Sequence, residues 1–278
     1  ARTAVSVMGL EDKETTDSSP EANMRKALRI FAKTPTALAA FYRIRKGKKI
    51  IKPKKTLTFA ENFFYMCFGK VPQKEIVKAF DVSLILYAEH SFNVSTFTAR
   101  TITSSLSDIH GAITGAIASL KGPLHGGANE EVMHMMNKIK KPENALKWIN
   151  NALKNKEVVM GFGHRVYKSG DSRVPTMRKY FAKVAKIKKD KKFEKIYDIV
   201  ERVMIKEKNI HPNVDYPTGP TYHLMGFETD FFTPIFVISR ITGWSAHIME
   251  QHAANKLIRP LASYKGSKHR KVMQLNQR

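Results

Sequence analysis

The spacing of apolar residues limits most strictly what this chain can fold into. Apolar side chains recur at every third and fourth position, whereas strict alternation over six or more residues, typical of half-buried strands, is hard to find. After an acidic opening loop, Ser19 and Pro20 offer an N-cap and a proline at the first helical position. We therefore expect an all-α fold. Further helices are predicted over residues 58–68, 73–90, 96–120 and 129–139.

One of these predicted helices carries a run of small residues, HGAITGAIASL. Small side chains let another helix backbone approach closely. The sequence therefore predicts a tightly packed neighbour, which is either a helix of the same chain or the same helix of a second subunit. The small residues are Gly111, Ala112, Gly115, Ala116 and Ala118.

The length and composition of the chain predict that it folds. It has 278 residues, of which 42% are hydrophobic and 26% are charged, and these proportions are far from those of a disordered chain. Its longest uncharged stretch, residues 109–120, is well short of the roughly 20 residues that span a bilayer. We expect no membrane span, and no export signal is readable in ARTAVSVMGL.

The chain contains one cysteine, Cys67, inside the apolar run FFYMCFG. We expect this thiol to be buried and unreactive. A single cysteine excludes disulfides within one chain, which fits a reducing cytosol and predicts a cytoplasmic location.

The chain carries a strong excess of positive charge, which bears on the kind of partner it could bind. Lysine and arginine number 48 against 24 acidic residues, a net charge of +24, and the excess is concentrated in residues 43–55, 183–195 and 265–271. Such a balance raises nucleic acid as a partner. However, few aromatics are interleaved with these lysines, and no zinc-finger spacing is present. General surface basicity is favoured, and a non-catalytic nucleic-acid-binding or scaffold protein is the alternative.

Three loops rich in glycine and proline each hold one titratable residue. GPLHGG contains His125, GFGHRVY contains His164, and NVDYPTG contains Asp215. General acid–base chemistry needs one base and positioned donors, so two histidines and a carboxylate in three such loops are candidate catalytic residues. Between the first and third loops the chain is rich in lysine, and we expect a smaller domain there, inserted into a larger one.

Other kinds of site find less support. Glu131 and His134 form one Glu-x-x-His pair, but a di-metal site of that type needs a second copy, so no metal is expected. No serine lies in a Gly-x-Ser-x-Gly elbow, and Cys67 lacks a cationic setting. GFGHRV does not match the dinucleotide-binding fingerprint Gly-x-Gly-x-x-Gly.

Three motifs in order, GPLHGGANE, GFGHRVYKSGDSR and NVDYPTGP, resemble the citrate synthase family. YAEHSFNVSTFTAR and SRITGWSAHIMEQHAANKLIRP are similar to it as well, so the resemblance covers nearly the whole chain. GDSRVPTM and IMEQHAANKLIRP look most like the short bacterial and archaeal branch that includes 2-methylcitrate synthases. The resemblance implies condensation of an acyl-CoA with oxaloacetate, with propionyl-CoA slightly favoured over acetyl-CoA.

The resemblance also implies catalytic roles. Asp215 would remove a proton from the carbon next to the thioester. His125 would donate a hydrogen bond to the thioester oxygen, and the helix expected to start in GGANEEVMHMM would keep it neutral, since a helix N-terminus disfavours imidazolium. His164 would polarise the ketone of oxaloacetate and protonate the new alkoxide.

Substrate-binding residues follow from the same resemblance. Planar arginine forks bind carboxylates in bidentate geometry. The implied oxaloacetate ligands are His90, Arg173, Arg240 and Arg259, the last reaching into the site of a partner subunit. The implied coenzyme A ligands are Arg165, Lys168, Gly161 and Gly163. No metal or redox cofactor is required, because the chemistry is proton transfer and carbon–carbon bond formation.

The family further implies an architecture. We expect a large helical domain from residues 1–126 and 226–278, a small helical domain from residues 127–225, and a homodimer with its sites in the cleft between the domains. Family members begin well before the stretch that ARTAVSVMGL resembles, so further helices of the large domain are expected to precede it.

Overall fold

A computed structural model describes residues 1–122, 125–167, 169–267 and 270–278. Within these ranges the chain forms twelve α-helices and no strand, and two residues, Phe162 and Pro212, pair in an isolated bridge. The all-α prediction is therefore confirmed. The helices are α1 Arg2–Glu11, α2 Pro20–Ile44, α3 Phe59–Phe68, α4 Lys74–Tyr87, α5 Val94–Ser104, α6 Ile109–Leu120, α7 Ala128–Ile139, α8 Pro142–Lys154, α9 Val174–Ile187, α10 Lys192–Lys208, α11 Asp215–Met225 and α12 Phe232–Ala253.

Two helices begin where their capping residues predict. The Ser19 hydroxyl accepts a hydrogen bond from the Ala22 backbone N–H at 3.4 Å, so α2 begins at Pro20 as expected. Thr58 and Glu61 form a reciprocal capping box at the start of α3, with the Thr58 N–H donating to the Glu61 carboxylate at 2.8 Å. Both caps satisfy backbone N–H groups that a helix start leaves unpaired.

The predicted helix over residues 96–120 is wrong, because the chain breaks into α5 and α6. Leu106 takes a positive φ of 65°, which no α-helix accommodates. The Asp108 carboxylate then accepts a hydrogen bond from the Gly111 N–H at 2.9 Å and starts α6. Apolar side chains keep the same three- and four-residue spacing from α5 into α6, so the spacing did not reveal the break between the two helices.

The small residues of α6 pack against α5 of the same chain. A side-chain carbon added at Gly115 would lie only 2.2 Å from Cδ1 of Ile102 on α5. Ala112 and Ala116 are fully buried, whereas Ala118 is exposed. The structure thus places a helix of this chain against Gly115.

The core consists of two apolar clusters that share α12. One gathers aromatic rings of α3 and α4, such as Phe63 and Phe80, whose ring centres lie 5.5 Å apart, and continues into α7–α11. The other lies among α1, α5, α6 and α12 and contains the fully buried Trp244. The first cluster unites residues from both predicted domains, and the division at residues 127–225 stays a prediction.

Cys67 is buried, as predicted, with 2% of its surface exposed. Burial raises the pKa of its thiol to about 12, although the charges of Arg43 and Lys46 act against the rise. The sulfur is therefore held as a thiol at neutral pH.

None of the described helices combines the length and the apolar character needed to cross a membrane.

Candidate active site

A cavity of about 540 Å³ brings the three candidate catalytic residues together. His125, His164 and Asp215 come from three separate loops and line this one space. Its volume is in the range usual for small-molecule sites, roughly 300–1,000 Å³. The other candidate residues along its wall are His90, Gly163, Arg165, Arg173 and Arg240. A second cavity of about 370 Å³, beside Lys121 and Thr233, contains none of the candidates.

Asp215 lies at the first position of α11, where the preceding loop holds it. Its backbone N–H donates to the side-chain oxygen of Asn213 at 3.1 Å, and the Asn213 amide donates to the Gly163 carbonyl at 2.9 Å. Burial raises the pKa of the Asp215 carboxyl, while a hydrogen bond from Tyr87 and the charge of Arg173 oppose the rise. Such a carboxylate is a stronger base than one in water.

His125 is held as a neutral imidazole by α5. Its Nε2 accepts a hydrogen bond from the Ser95 N–H at 3.2 Å and lies 2.8 Å from the Ser95 hydroxyl oxygen. Because Nε2 accepts, the neutral ring carries its proton on Nδ1. Burial, together with the nearby charge of Arg240, lowers the pKa of His125 to about 4. The ring is thus a donor that stays neutral at pH 7.

The helix terminus that contacts this imidazole differs from the one that the sequence suggested. A helix does begin shortly after His125, at Ala128. The N–H group that touches the ring, however, belongs to Ser95 in the first turn of α5. The positive end of a helix dipole disfavours a second positive charge, so α5 contributes to keeping the ring neutral.

Backbone N–H groups of the same loop determine the tautomer of His164. Its Nδ1 accepts hydrogen bonds from the N–H groups of Val166 at 3.0 Å and Tyr167 at 3.3 Å. The proton of the neutral ring therefore resides on Nε2. The ring lies 4.9 Å from that of His90, centre to centre.

His90 presents a buried nitrogen to a prospective ligand. Its Nε2 is buried without a hydrogen-bond partner among the described residues. Burial and the nearby charge of Arg173 lower the pKa of the ring, so it is neutral at pH 7. Because a buried polar atom normally has a partner, the unpaired Nε2 is suited to bind a ligand oxygen.

Arg173 is oriented by an acid that the sequence analysis did not select. Its Nε and one terminal nitrogen donate to the two carboxylate oxygens of Asp171 at 2.9 and 2.8 Å. Asp171 also accepts the Val214 N–H at 3.0 Å and thereby ties Arg173 to the start of α11. The GDSR motif contains Asp171, but an Asp-x-Arg spacing alone does not reveal a buried pair.

Arg240 is a buried cation on α12. Only 2% of its surface is exposed, and it forms no ion pair with any described residue. Its Nε donates to the Tyr87 carbonyl at 2.7 Å. Burial, together with the charge of Arg173, lowers the pKa of the guanidinium to about 10. A buried charge normally has a partner, so a carboxylate in the cavity would relieve this desolvation.

The carbonyl groups at the C-terminal end of α4 hold several of these side chains. A helix end leaves its last carbonyls without partners inside the helix. The Leu86 carbonyl faces a terminal nitrogen of Arg173 at 3.5 Å, and the Ala88 carbonyl accepts the Gly243 N–H of α12 at 3.0 Å. With the Tyr87 carbonyl, this end of α4 positions both arginines of the cavity.

Two of the described candidate residues, Arg259 and Gly161, are not among the residues that line the cavity. Arg259 is exposed beyond α12 and donates to the carbonyl of its own neighbour, Pro260, at 3.3 Å. Gly161 is buried with a φ of 84°, and a side chain there would lie 2.7 Å from Val132, so close packing requires this glycine. Its contact with coenzyme A stays a prediction. Lys168 lies outside the described residues.

The described residues contain no group of three or more histidine, cysteine, aspartate or glutamate side chains that could hold a metal ion. The Glu131 and His134 pair therefore has no third ligand among them. That no metal takes part in the reaction stays a prediction.

Known proteins resemble this chain over its whole length. The family described as "Citrate synthase, C-terminal domain" matches residues 1–261. A citrate synthase of Mycolicibacterium smegmatis is 53% identical over 272 residues, which are 98% of this chain and 72% of that protein. A 2-methylcitrate synthase of Mycobacterium tuberculosis is 53% identical over 269 residues, covering 97% of this chain and 68% of that protein.

A solved structure agrees with these relatives. Citrate synthase from Thermoplasma acidophilum, determined as a ternary complex with carboxymethyl coenzyme A and oxaloacetate, superposes with a TM-score of 0.90 at 34% identity. The match covers 100% of this chain and 74% of that one. Sequence and fold point the same way: this chain is an enzyme of the citrate synthase family.

Proposed function

We propose that this enzyme condenses an acyl-CoA with oxaloacetate and water to give citrate or 2-methylcitrate and free coenzyme A. One observation carries the proposal: a single cavity contains a partly buried carboxylate, two histidines with defined tautomers and two oriented arginines. The names of the relatives and the ligands of the Thermoplasma complex support the same chemistry. A nucleic-acid-binding role without catalysis is not favoured by these relatives.

The first step is enolisation of the thioester. Asp215 takes a proton from the carbon next to the thioester carbonyl. His125 donates its Nδ1–H to the thioester oxygen as charge develops there, and its low pKa lets it donate as a neutral group.

The second step forms the carbon–carbon bond. The enol carbon attacks the ketone of oxaloacetate while the Nε2–H of His164 polarises the ketone oxygen and then protonates it. Arg173, Arg240 and His90 bind the carboxylates and hold the ketone in place. Water then cleaves the thioester, which releases coenzyme A as a thiol.

Coenzyme A carries phosphates, and Arg165 and Gly163 on the cavity wall, with Lys168 nearby in sequence, are proposed to bind it. Gly163 has a positive φ of 74°, so its backbone adopts a conformation that favours glycine. No cofactor is required, since enolisation, carbon–carbon bond formation and thioester hydrolysis involve only proton transfers, the two substrates and water.

Assembly and location complete the proposal. We infer a homodimer in which Arg259 reaches the site of the partner subunit, since it lies outside the cavity of its own chain. Residues 127–225 are proposed to close as a small domain over the bound substrates and to keep water out before enolisation. A cytoplasmic location fits a chain whose single cysteine is a buried thiol.

Propionyl-CoA is proposed as the better substrate, with acetyl-CoA also accepted, and a role in propionate catabolism or in the tricarboxylic acid cycle follows from this choice. One methyl group in an apolar pocket is worth only about 1 to 3 kcal/mol, or roughly 10- to 200-fold in specificity.

Release of coenzyme A thiol from both thioesters, measured with and without oxaloacetate, tests the proposal. We expect release that depends on oxaloacetate and a higher kcat/KM with propionyl-CoA. A higher value with acetyl-CoA would identify a citrate synthase proper, and no release with either thioester would contradict the enzymatic proposal.

A further inference from the structure

Tyr87, the last residue of α4, connects two parts of the site. Its hydroxyl donates a hydrogen bond to Oδ1 of Asp215, and its carbonyl accepts the Nε–H of Arg240 at 2.7 Å. The side chain is 2% exposed, and its ring packs edge-on against Phe236 with ring centres 4.5 Å apart. The hydroxyl is therefore fixed in place on the carboxylate.

The direction of this hydrogen bond follows from burial. Burial raises the pKa of the Tyr87 phenol well above its ordinary value, and the negative charge of Asp215 adds to the rise. The phenol therefore keeps its proton at neutral pH. Because it donates to Oδ1, it stabilises the ionised form of Asp215.

Other charged and titratable groups also face Asp215. Arg173 and Asp171 approach it from the segment before α9, Arg240 from α12, and the cavity histidines from the remaining walls. The two arginines favour the carboxylate, whereas Asp171 and burial favour the protonated acid. Tyr87 is the neutral donor that touches the carboxylate directly.

We propose that Tyr87 is a positioning residue for enolisation, whose hydroxyl occupies Oδ1 of Asp215, keeps the base ionised and leaves Oδ2 to accept the substrate proton. This inference rests on the proposed condensation. During the step the C–H bond breaks and its proton passes to Oδ2. Its electron pair forms the carbon–carbon double bond of the enol, and the carbonyl π electrons move onto the thioester oxygen, to which His125 donates. The bond from Tyr87 to Oδ1 restricts rotation of the carboxylate throughout.

The test is the dependence of kcat/KM on pH for Tyr87→Phe, which removes only the hydroxyl. At low pH, kcat/KM falls as Asp215 becomes protonated, and this part of the profile is its acidic limb. Loss of a hydrogen bond to the charged carboxylate should move the acidic limb of Tyr87→Phe upward by about one pH unit. At pH values below the limb, kcat/KM of the variant should then be about tenfold lower than that of wild type. Above that limb the Asp215 carboxylate is ionised in both proteins, so only the loss of its fixed orientation should lower the plateau in Tyr87→Phe.

Tyr222→Phe is the matched control, because it also removes a buried tyrosine hydroxyl between α11 and α4. The Tyr222 hydroxyl lies 3.0 Å from that of Ser83 and makes no hydrogen bond to Asp215. We expect this variant to lower Tm without moving the acidic limb. An unmoved limb in Tyr87→Phe, or an equal shift in both variants, would overturn the inference.

Titration of the Asp215 carboxyl tests this inference independently of whether the enzyme catalyses the condensation. The carboxyl pKa of Asp215 can be followed by ¹³C NMR in wild type and Tyr87→Phe, with Asp215→Asn for assignment. A higher pKa in Tyr87→Phe supports the inference even if no condensation is detected. An unchanged pKa rejects it even if condensation is observed.

Discussion

Two buried ionisable side chains of the cavity have pKa values that are shifted in opposite directions. Burial raises the pKa of the Asp215 carboxyl and lowers the pKa of the His125 imidazole to about 4. The same physical cause therefore makes the Asp215 carboxylate more basic and keeps the His125 ring neutral, because burial always disfavours the charged form. Pairs of groups shifted apart in this way are typical of acid–base sites.

Asp215→Asn should lose condensation and retain oxaloacetate binding. The amide has nearly the shape of the carboxylate but cannot accept the proton, and positioned general bases contribute about 10²- to 10⁴-fold. Steady-state release of coenzyme A measures the loss, and calorimetric titration with oxaloacetate measures the binding. Full activity of this variant would show that another group is the base.

His125 should remain neutral down to acidic pH. Its folded pKa of about 4 lies below the ordinary value of 6.5. The unfolded chain therefore takes up this proton first, and the free energy of unfolding falls as the pH drops from 6.5 to about 4.

The measurement is an NMR titration of the ring, assigned with His125→Gln, followed by denaturation of both proteins across this pH window. The variant should lose part of the pH dependence of stability. A midpoint near the ordinary value of 6.5 would show that the folded site does not lower the pKa of this ring, and would contradict the expected loss of stability between pH 6.5 and 4.

At the scale of elements, the close contact between α12 and the end of α4 determines the position of Arg240 in the cavity. Gly243 of α12 lies so close that an added side-chain carbon would be 2.4 Å from the Ala88 carbonyl oxygen and 3.1 Å from the Glu89 Cα. Backbone atoms cannot rotate aside, unlike the tip of a side chain. The glycine is therefore required for Arg240, one turn earlier, to reach the Tyr87 carbonyl.

Gly243→Ala should destabilise the protein and weaken oxaloacetate binding. Overpacking of this kind costs about 1 to 3 kcal/mol, which corresponds to a fall in Tm of roughly 5 °C in a chain of this size. The KM for oxaloacetate should rise because Arg240 is displaced.

Gly127→Ala serves as the stability control for Gly243→Ala. Its added methyl group would meet nothing within 4 Å, and its φ of −86° suits any residue. Thermal unfolding of the two variants is compared with wild type. Equal Tm values for wild type and Gly243→Ala would show that α12 and α4 are not in tight contact.

At the scale of the whole molecule, the position of Arg259 raises the question of assembly. It is exposed in the segment after α12, outside the cavity that contains Arg173 and Arg240. A dimer with two-fold symmetry would exchange this segment between subunits reciprocally. The net charge of +24 favours the approach of both substrates, which are anions.

Mixed dimers of Arg259→Ala and Asp215→Asn should regain activity that neither variant has alone. In a mixed dimer, the subunit with an intact Asp215 receives an intact Arg259 from its partner. Random mixing should restore about a quarter of the wild-type sites. Coenzyme A release is measured after joint refolding, with each variant refolded alone as the control. No gain over these controls would place Arg259 in its own subunit's site or in none.

Local patterns predicted much of the molecule. The helix class, the cap at Ser19, and the three loops with His125, His164 and Asp215 could be recognised because turn chemistry and apolar spacing act over a few residues. The break between α5 and α6 was missed because Leu106 and Asp108 interrupt the helix without interrupting its apolar phase. Asp171 and Ser95 were missed because isolated polar residues are common on surfaces.

The sequence by itself determined an all-helical chain and the order of its loops, since hydrogen bonds within helices and glycine-rich turns are local. Only the tertiary structure decided which distant groups meet. Ser95 contacts His125 across 30 positions, Tyr87 contacts Asp215 across 128, and Arg240 contacts the Tyr87 carbonyl across 153. The first contact sets the tautomer of His125, the second places a hydrogen-bond donor on the Asp215 carboxylate, and the third orients Arg240. The pKa shifts of these three side chains come first from burial, which arises only when helices far apart in sequence pack together.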